Sequence, residues 1–210
     1  MISERIHGKG ILAKLLEQAI RILLIKECKK ICNIKIDITS SSIQIIKGEI
    51  QKINIIAENI NYKDLLIDGI ELEVNQIKIN FKLTNNLLNL ENNPIVKLKI
   101  LVSEQSLKTI LISNNWNWIG NMISKALLNQ IKLEDIKIKN GQFIIKKSKE
   151  NNILDEGELI NINTEDGKIY LEDKQNNKSI EIPIEDKIYI ENINIENDSI
   201  IIFANSHISF

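Results

Sequence analysis

The stretch Ile70-Glu71-Leu72-Glu73-Val74-Asn75-Gln76-Ile77-Lys78-Ile79-Asn80 decides the fold class. Ile70, Leu72 and Val74 alternate with Glu71 and Glu73, a period of two that puts the apolar side chains on one face of a strand and the carboxylates on the other. At Asn75-Gln76 the parity slips by one, and Ile77, Ile79, Phe81 and Leu83 carry the apolar face onward, which predicts a β-bulge that bends the strand. A strand of a doubly wound parallel sheet is covered on both sides and reads as a continuous apolar run. A strand with one greasy and one wet face belongs instead to an antiparallel sheet covered on one side.

The same alternation recurs on either side of this stretch. Ile34, Ile36 and Ile38 precede it, then Ile53, Ile55 and Ala57; Val96, Leu98, Ile100 and Val102 follow it, opposed by Lys97 and Lys99. Asn140-Gly141 and Asp166-Gly167 are hairpin signals, the first flanked by Ile136, Ile138, Phe143 and Ile145. A second parity slip falls at Asn192, before the fully apolar Ile200 to Phe203. Two segments break the pattern. From Gly10 to Cys32 apolar residues repeat at three and four, predicting an amphipathic helix, and Ser103 caps a second helical region that the Asn114-Asn115 pair divides. The expected architecture is α+β: a long N-terminal helix (1–33), a first β region (34–102), a helical segment (103–130) and a second β region (131–210), forming a single domain with both helices packed in a strongly curled antiparallel sheet.

Composition excludes several classes of function. The chain has 210 residues, 48 of them Ile, but only 4% are aromatic, so the core is branched and aliphatic. A net charge of -1 removes the electrostatic drive for nucleic-acid binding. No apolar run approaches the length of a membrane span, and Lys14, Glu17, Arg21, Lys26 and Glu27 interrupt the N-terminal stretch where a signal peptide would need an apolar core. The expected location is the cytoplasm, with action at a membrane surface. Cys28 and Cys32 read as buried thiols on one helix face. His7 and His207 stand at opposite ends of the chain without metal-ligand spacing, and no nucleophile elbow, phosphate loop or dinucleotide fingerprint occurs. Glu71 with Glu73, and Glu134 with Asp135, fall on strand patterns as solvated faces rather than acid/base pairs. The expectation is therefore no enzyme, no cofactor and no metal.

Two surface features stand out. Trp116-Asn117-Trp118 is conspicuous in an aromatic-poor chain, and two readings are open: a Trp that plugs the core, or one at the rim of an apolar opening or membrane interface. Lys26, Lys29 and Lys30 crowd the last turns of the first helix, where they meet the negative end of its dipole or the headgroups of anionic lipids.

The middle of the chain also carries a resemblance. Ile46-Lys47-Gly48-Glu49-Ile50, the strand Ile53 to Asn59, Tyr62, Leu65-Leu66-Ile67 and the end Ile77-Lys78-Ile79-Asn80 resemble the LmeA-like family of phospholipid-binding proteins in its cyanobacterial branch. Ser103-Glu104-Gln105-Ser106-Leu107 with a Trp-bearing helix after it, and Ile182-Pro183-Ile184-Glu185, extend the likeness over nearly the whole chain. Lys63-Asp64 departs from the Gly-type turn that the family favours. What the resemblance implies is a tubular-lipid-binding-like fold, a long helix cradled by a curled sheet around an apolar tunnel or groove.

The leading expectation is noncatalytic binding or transfer of phospholipid or glycolipid acyl chains. Candidate lining residues are Ile20, Leu23 and Leu24 from the first helix, Ile55, Leu72, Val74, Ile77, Ile79, Leu98 and Ile100 from the strands, and Trp116, Trp118 and Met122. Lys26, Lys29 and Lys30 are the candidate headgroup contacts. The alternative is a packed-core interaction protein that binds a protein partner through a sheet edge or helix.

Overall fold

The computed structural model describes residues 10–82, 87–146 and 157–207, without the side chains of 80–82 and 87–89. Helix α1 (Ile11–Glu27) leads into β1 (Lys30–Thr39), a short α2 (Ser42–Ile46), β2 (Glu49–Tyr62), β3 (Leu65–Lys82), β4 (Leu87–Leu90) and β5 (Ile95–Ser103). Then come α3 (Glu104–Ile112), α4 (Asn117–Ile123), a π turn (Ser124–Leu128), β6 (Asp135–Lys139), β7 (Gln142–Lys146), β8 (Glu158–Glu165), β9 (Lys168–Asp173), β10 (Lys178–Ile182), β11 (Ile188–Glu196) and β12 (Ser199–His207). The first sheet runs β1-β2-β3-β5-β12-β11 with β4 added to β3, and the second runs β10-β9-β8-β7-β6. Every pairing is antiparallel.

Three sequence expectations need correction. The first sheet is not strongly curled. Register breaks occur between β1 and β2 and between β11 and β12, at the two edges of the sheet, whereas the ladders joining β2, β3, β5 and β12 run unbroken, so the central strands lack the bulges that would bend them. At Asn75-Gln76 there is no bulge against β2: Val74 faces Ile53 and Ile77 faces Ile50, so both strands change parity together. Gln76 absorbs the change with a φ of +53°, and the Asn92 side chain bonds the Gln76 carbonyl and the Lys78 N–H. The slip expected at Asn192 does appear as a register shift between Ile190 and Asn192. The third correction concerns α1, which ends at Glu27; Cys28 is its extended C-cap and Cys32 lies in β1, so the two thiols do not share a helix face. Leu83, and the side chain of Phe81, lie outside what is described.

Two apolar cores hold the layers together. In one, Ala13, Leu16, Ile20 and Leu24 of α1 pack with Ile34, Ile36 and Ile38 of β1 and with Ile50, Ile60, Val74 and Ile77. In the other, Leu111, Ile123, Leu127 and Leu128 of the second helical region pack with Ile136, Phe143, Ile145 and Ile160 of the second sheet and Ile200 of β12. A smaller cluster of Ile169, Ile190 and Ala204, with Leu98, Ile162, Ile182 and Ile202 against it, joins the two sheets. Each long helix is also fixed to an edge strand by a carboxylate. The Ile38 N–H of β1 donates to Glu17 Oε1 at 2.9 Å, and the Ile138 N–H of β6 donates to Glu104 Oε2 at 2.6 Å. An ionised acceptor makes the stronger class of hydrogen bond and occupies an edge donor that no strand pairs.

Gly48 is where the chain can least tolerate a side chain. Its φ is +77°, and an added Cβ would run into the Ile79 carbonyl oxygen, whereas Gly141, at φ +75° in the Asn140-Gly141 hairpin, has open space around it. Gly48→Ala is expected to cost more than Gly141→Ala by about 1–3 kcal/mol in denaturant unfolding. Equal losses would show that φ strain alone sets the cost.

Two carboxylates, Asp173 buried and Asp135 half-buried, make stability acid-sensitive. Burial pushes Asp173 up, but bonds from the Asn176 side chain and the backbone N–H groups of Asn176 and Gln175 outweigh it and hold the carboxyl below its ordinary range. Asp135 behaves likewise, burial being outweighed by the Lys108 hydrogen bond and by the charges of Lys108 and Lys146. A depressed folded pKa contributes stability above the unfolded value and loses it as pH falls through the folded one, so the melting temperature should decline from about pH 4 downward. The Asp135→Asn, Asp173→Asn double variant should show a shallower acid slope in thermal scans, and an unchanged slope would remove these two groups from the account.

Candidate functional site

The inward face of the first sheet carries two apolar rows. Ile55, Leu72 and Leu98 stand opposite one another on β2, β3 and β5, and Ile70, Ile100 and Ile202 do the same on β3, β5 and β12. All six are only half-buried, although they sit mid-sheet. The cause is the placement of the covering elements. Helix α1 packs along β1 and meets α2; the second sheet reaches β11 through β8 and β9; α3 lies over β3, β5 and β6. Ile55, Ile70, Leu72 and Leu98 touch the α1 core, and Leu98 and Ile202 the inter-sheet cluster, so the rows form a partly covered apolar floor between α1 and the second sheet.

Of the candidate lining residues, the structure brings Ile55, Leu72, Leu98 and Ile100 onto this floor. Val74 and Ile77 are buried in the α1 core with Ile79 half-buried against it, and Ile20 and Leu24 lie on the inward side of α1. Leu23 does not join them: it is 60% exposed on the flank of the helix. Met122 and Trp118 are on α4, whose neighbours are α3 and the π turn, and Trp118 is 48% exposed. Ile70 and Ile202 are floor residues that the sequence reading did not select. Ile70 has the parity of Leu72 and Val74 and was legible on that ground, but Ile202 lies in a run apolar at both parities, where alternation carries no signal.

Trp116 neither plugs the core nor rims the floor. Its indole Nε1–H donates to the Lys63 carbonyl at 2.9 Å, and Asn115 Nδ2 donates to Asp64 Oδ2 at 2.7 Å. Lys63 and Asp64 form the turn between β2 and β3 with φ values of +50° and +67°. Lys29 joins the same carboxylate at 2.6 Å, so one turn ties the end of α1, the β2–β3 hairpin and the α3–α4 connection together. Lys29 is thus engaged in an ion pair, while Lys26 and Lys30 are exposed. Lys63 also lies 5.1 Å from the centre of the Tyr62 ring.

The outer face of the sheet mixes ion pairs with exposed aliphatic side chains. Lys99 bridges Glu71 at 2.8 Å and Lys52 bridges Glu73 at 2.6 Å, whose carboxyl is held low by that Lys52 bond. A depression of about 390 Å³ opens among these charges, and another of about 340 Å³ lies over Gly69 beside Ile56, Leu101 and Ile201. Burial, aided by the neighbouring Glu27 charge, raises the Cys28 thiol above its ordinary range and makes it a poor nucleophile. Among the described residues no three His, Cys, Asp or Glu side chains come together as metal ligands, and no helix is long and apolar enough to cross a membrane.

No family model, no curated protein and no solved structure matches the chain.

The turn geometry gives the two tryptophans different roles. Trp116→Phe deletes one hydrogen bond to a turn carbonyl and should lower stability by about 0.5–1.5 kcal/mol in denaturant melts, whereas Trp118→Phe should stay within about 0.5 kcal/mol of the parent. Equal effects would place Trp118 in the fold as firmly as Trp116.

Proposed function

We propose that the protein is a noncatalytic lipid-binding module that takes the acyl chains of a phospholipid or glycolipid on the floor formed by Ile55, Leu72, Leu98, Ile70, Ile100 and Ile202. The observation that carries this reading is the incomplete cover: six aliphatic side chains on neighbouring strands stay partly exposed in the middle of a sheet. An acyl chain laid across them would exchange water for apolar contact at about 0.8 kcal/mol per methylene. Specificity would then need only a few polar groups near the ends of the floor. The tubular-lipid-binding likeness drawn from the sequence supports the same reading, with an open floor in place of a curled tube.

Native mass spectrometry of gently purified protein, with solvent extraction of the same sample, tests this. The expected result is one or two lipid-sized adducts per chain, reduced in a Leu98→Gln, Ile100→Gln variant that stays folded by circular dichroism. A clean apo mass together with no uptake of lipid from vesicles would favour the alternative, an interaction protein that binds a protein partner through a sheet edge or helix.

A further inference from the structure

Helix α1 has a second apolar side that nothing in the described structure covers. Ile11, Leu15, Ile22 and Ile25 are 54–77% exposed, opposite the Ala13, Leu16, Ile20 and Leu24 side that packs on β1, and Leu23, on the flank between the two sides, is 60% exposed. Helix α2, which abuts α1, adds Ile43 and Ile46 at 67% and 72% exposed. Seven large aliphatics on two touching helices far exceed the scattered single exposures of an ordinary surface.

Charge decides what covers them. At 3.6 residues per turn, Lys26 and Lys14 fall about 55° and 65° to either side of the centre of the Ile11, Leu15, Ile22 and Ile25 face, with Arg21 at about 85°. Both carboxylates of the helix, Glu17 and Glu27, fall about 125° and 155° away, and Glu17 is turned under to accept the Ile38 N–H. An apolar strip flanked by cations, with the anions on the far side, is the pattern of a helix that lies in the interface of an anionic bilayer. The basic residues Lys30 and Lys47 are exposed just beyond the ends of α1 and α2. We propose that the outward face of α1, with Ile43 and Ile46 of α2, docks flat on an anionic membrane surface. This deepens the lipid-binding reading, because docking there holds a helix that borders the floor in the headgroup layer.

The test is sedimentation of the full chain with vesicles of phosphatidylcholine, with and without phosphatidylglycerol, at low and high salt. The expected result is binding to the phosphatidylglycerol vesicles that weakens with salt. It should fall about tenfold in Leu15→Gln, Ile22→Gln, whose exposed positions leave the melting temperature unchanged, and about fivefold for each of Lys14→Gln and Lys26→Gln. Wild-type protein that stays in the supernatant, or undiminished binding by the Leu15→Gln, Ile22→Gln variant, overturns the docking face. So does a wild-type dimer that the same variant splits, since a second copy would then be the occupant. Lipid retained by the protein in mass spectra is a separate readout: docking can fail while the floor stands, and the floor can fail while docking stands.

Discussion

Water has to be kept from the inward rows of the first sheet, where Ile, Leu and Val stand opposite one another from β1 to β11, and the covering elements are too few for the area. Helix α1 is one turn-row wide and serves β1 and its neighbours. The second sheet and the α3–α4 region serve the other end through Ile190, Ile193 and Ile200. The central strands therefore carry a floor that is apolar by composition and partly exposed by geometry. The two cores and the candidate site both follow from how this one face is shared.

The covers are positioned by polar contacts rather than by apolar packing alone, since aliphatic contact is non-directional and would let a helix slide along its strand. Glu17 on Ile38 and Glu104 on Ile138 each fix a helix against one edge strand at one register. The Lys63-Asp64 turn adds a third fixed point, where Lys29, Asn115 and Trp116 converge from three parts of the chain. These contacts set where α1 and the α3–α4 region sit against the first sheet.

Much of this was legible in the sequence. The antiparallel one-sided sheet could be read from the period of two around Ile70 to Val74, and the Asn140-Gly141 and Asp166-Gly167 hairpins from turn chemistry that needs φ > 0. Ile55, Ile70, Leu72, Leu98 and Ile100 of the floor were legible for the same reason. The lack of strong curl was not, because a parity slip in one strand predicts a bulge only if its partner does not slip as well, and β2 slips opposite β3. The outward direction of Leu23 was hidden because α1 is apolar around most of its circumference, so periodicity alone does not say which side packs. The role of Trp116 depends on a turn more than fifty residues earlier, a contact that no local pattern encodes.

The lipid-binding account stands or falls on whether an acyl chain lies on the inward floor. Isoleucine occupies both faces of the same strands, Ile55, Ile70, Ile100 and Ile202 inward and Ile56 and Ile201 outward, so isoleucine-methyl NMR can read both at once. A spin-labelled fatty acid added to the delipidated protein should broaden the methyl signals of the four inward residues and leave Ile56 and Ile201 sharp. Broadening confined to Ile56 and Ile201, or none at saturating ligand, would contradict it.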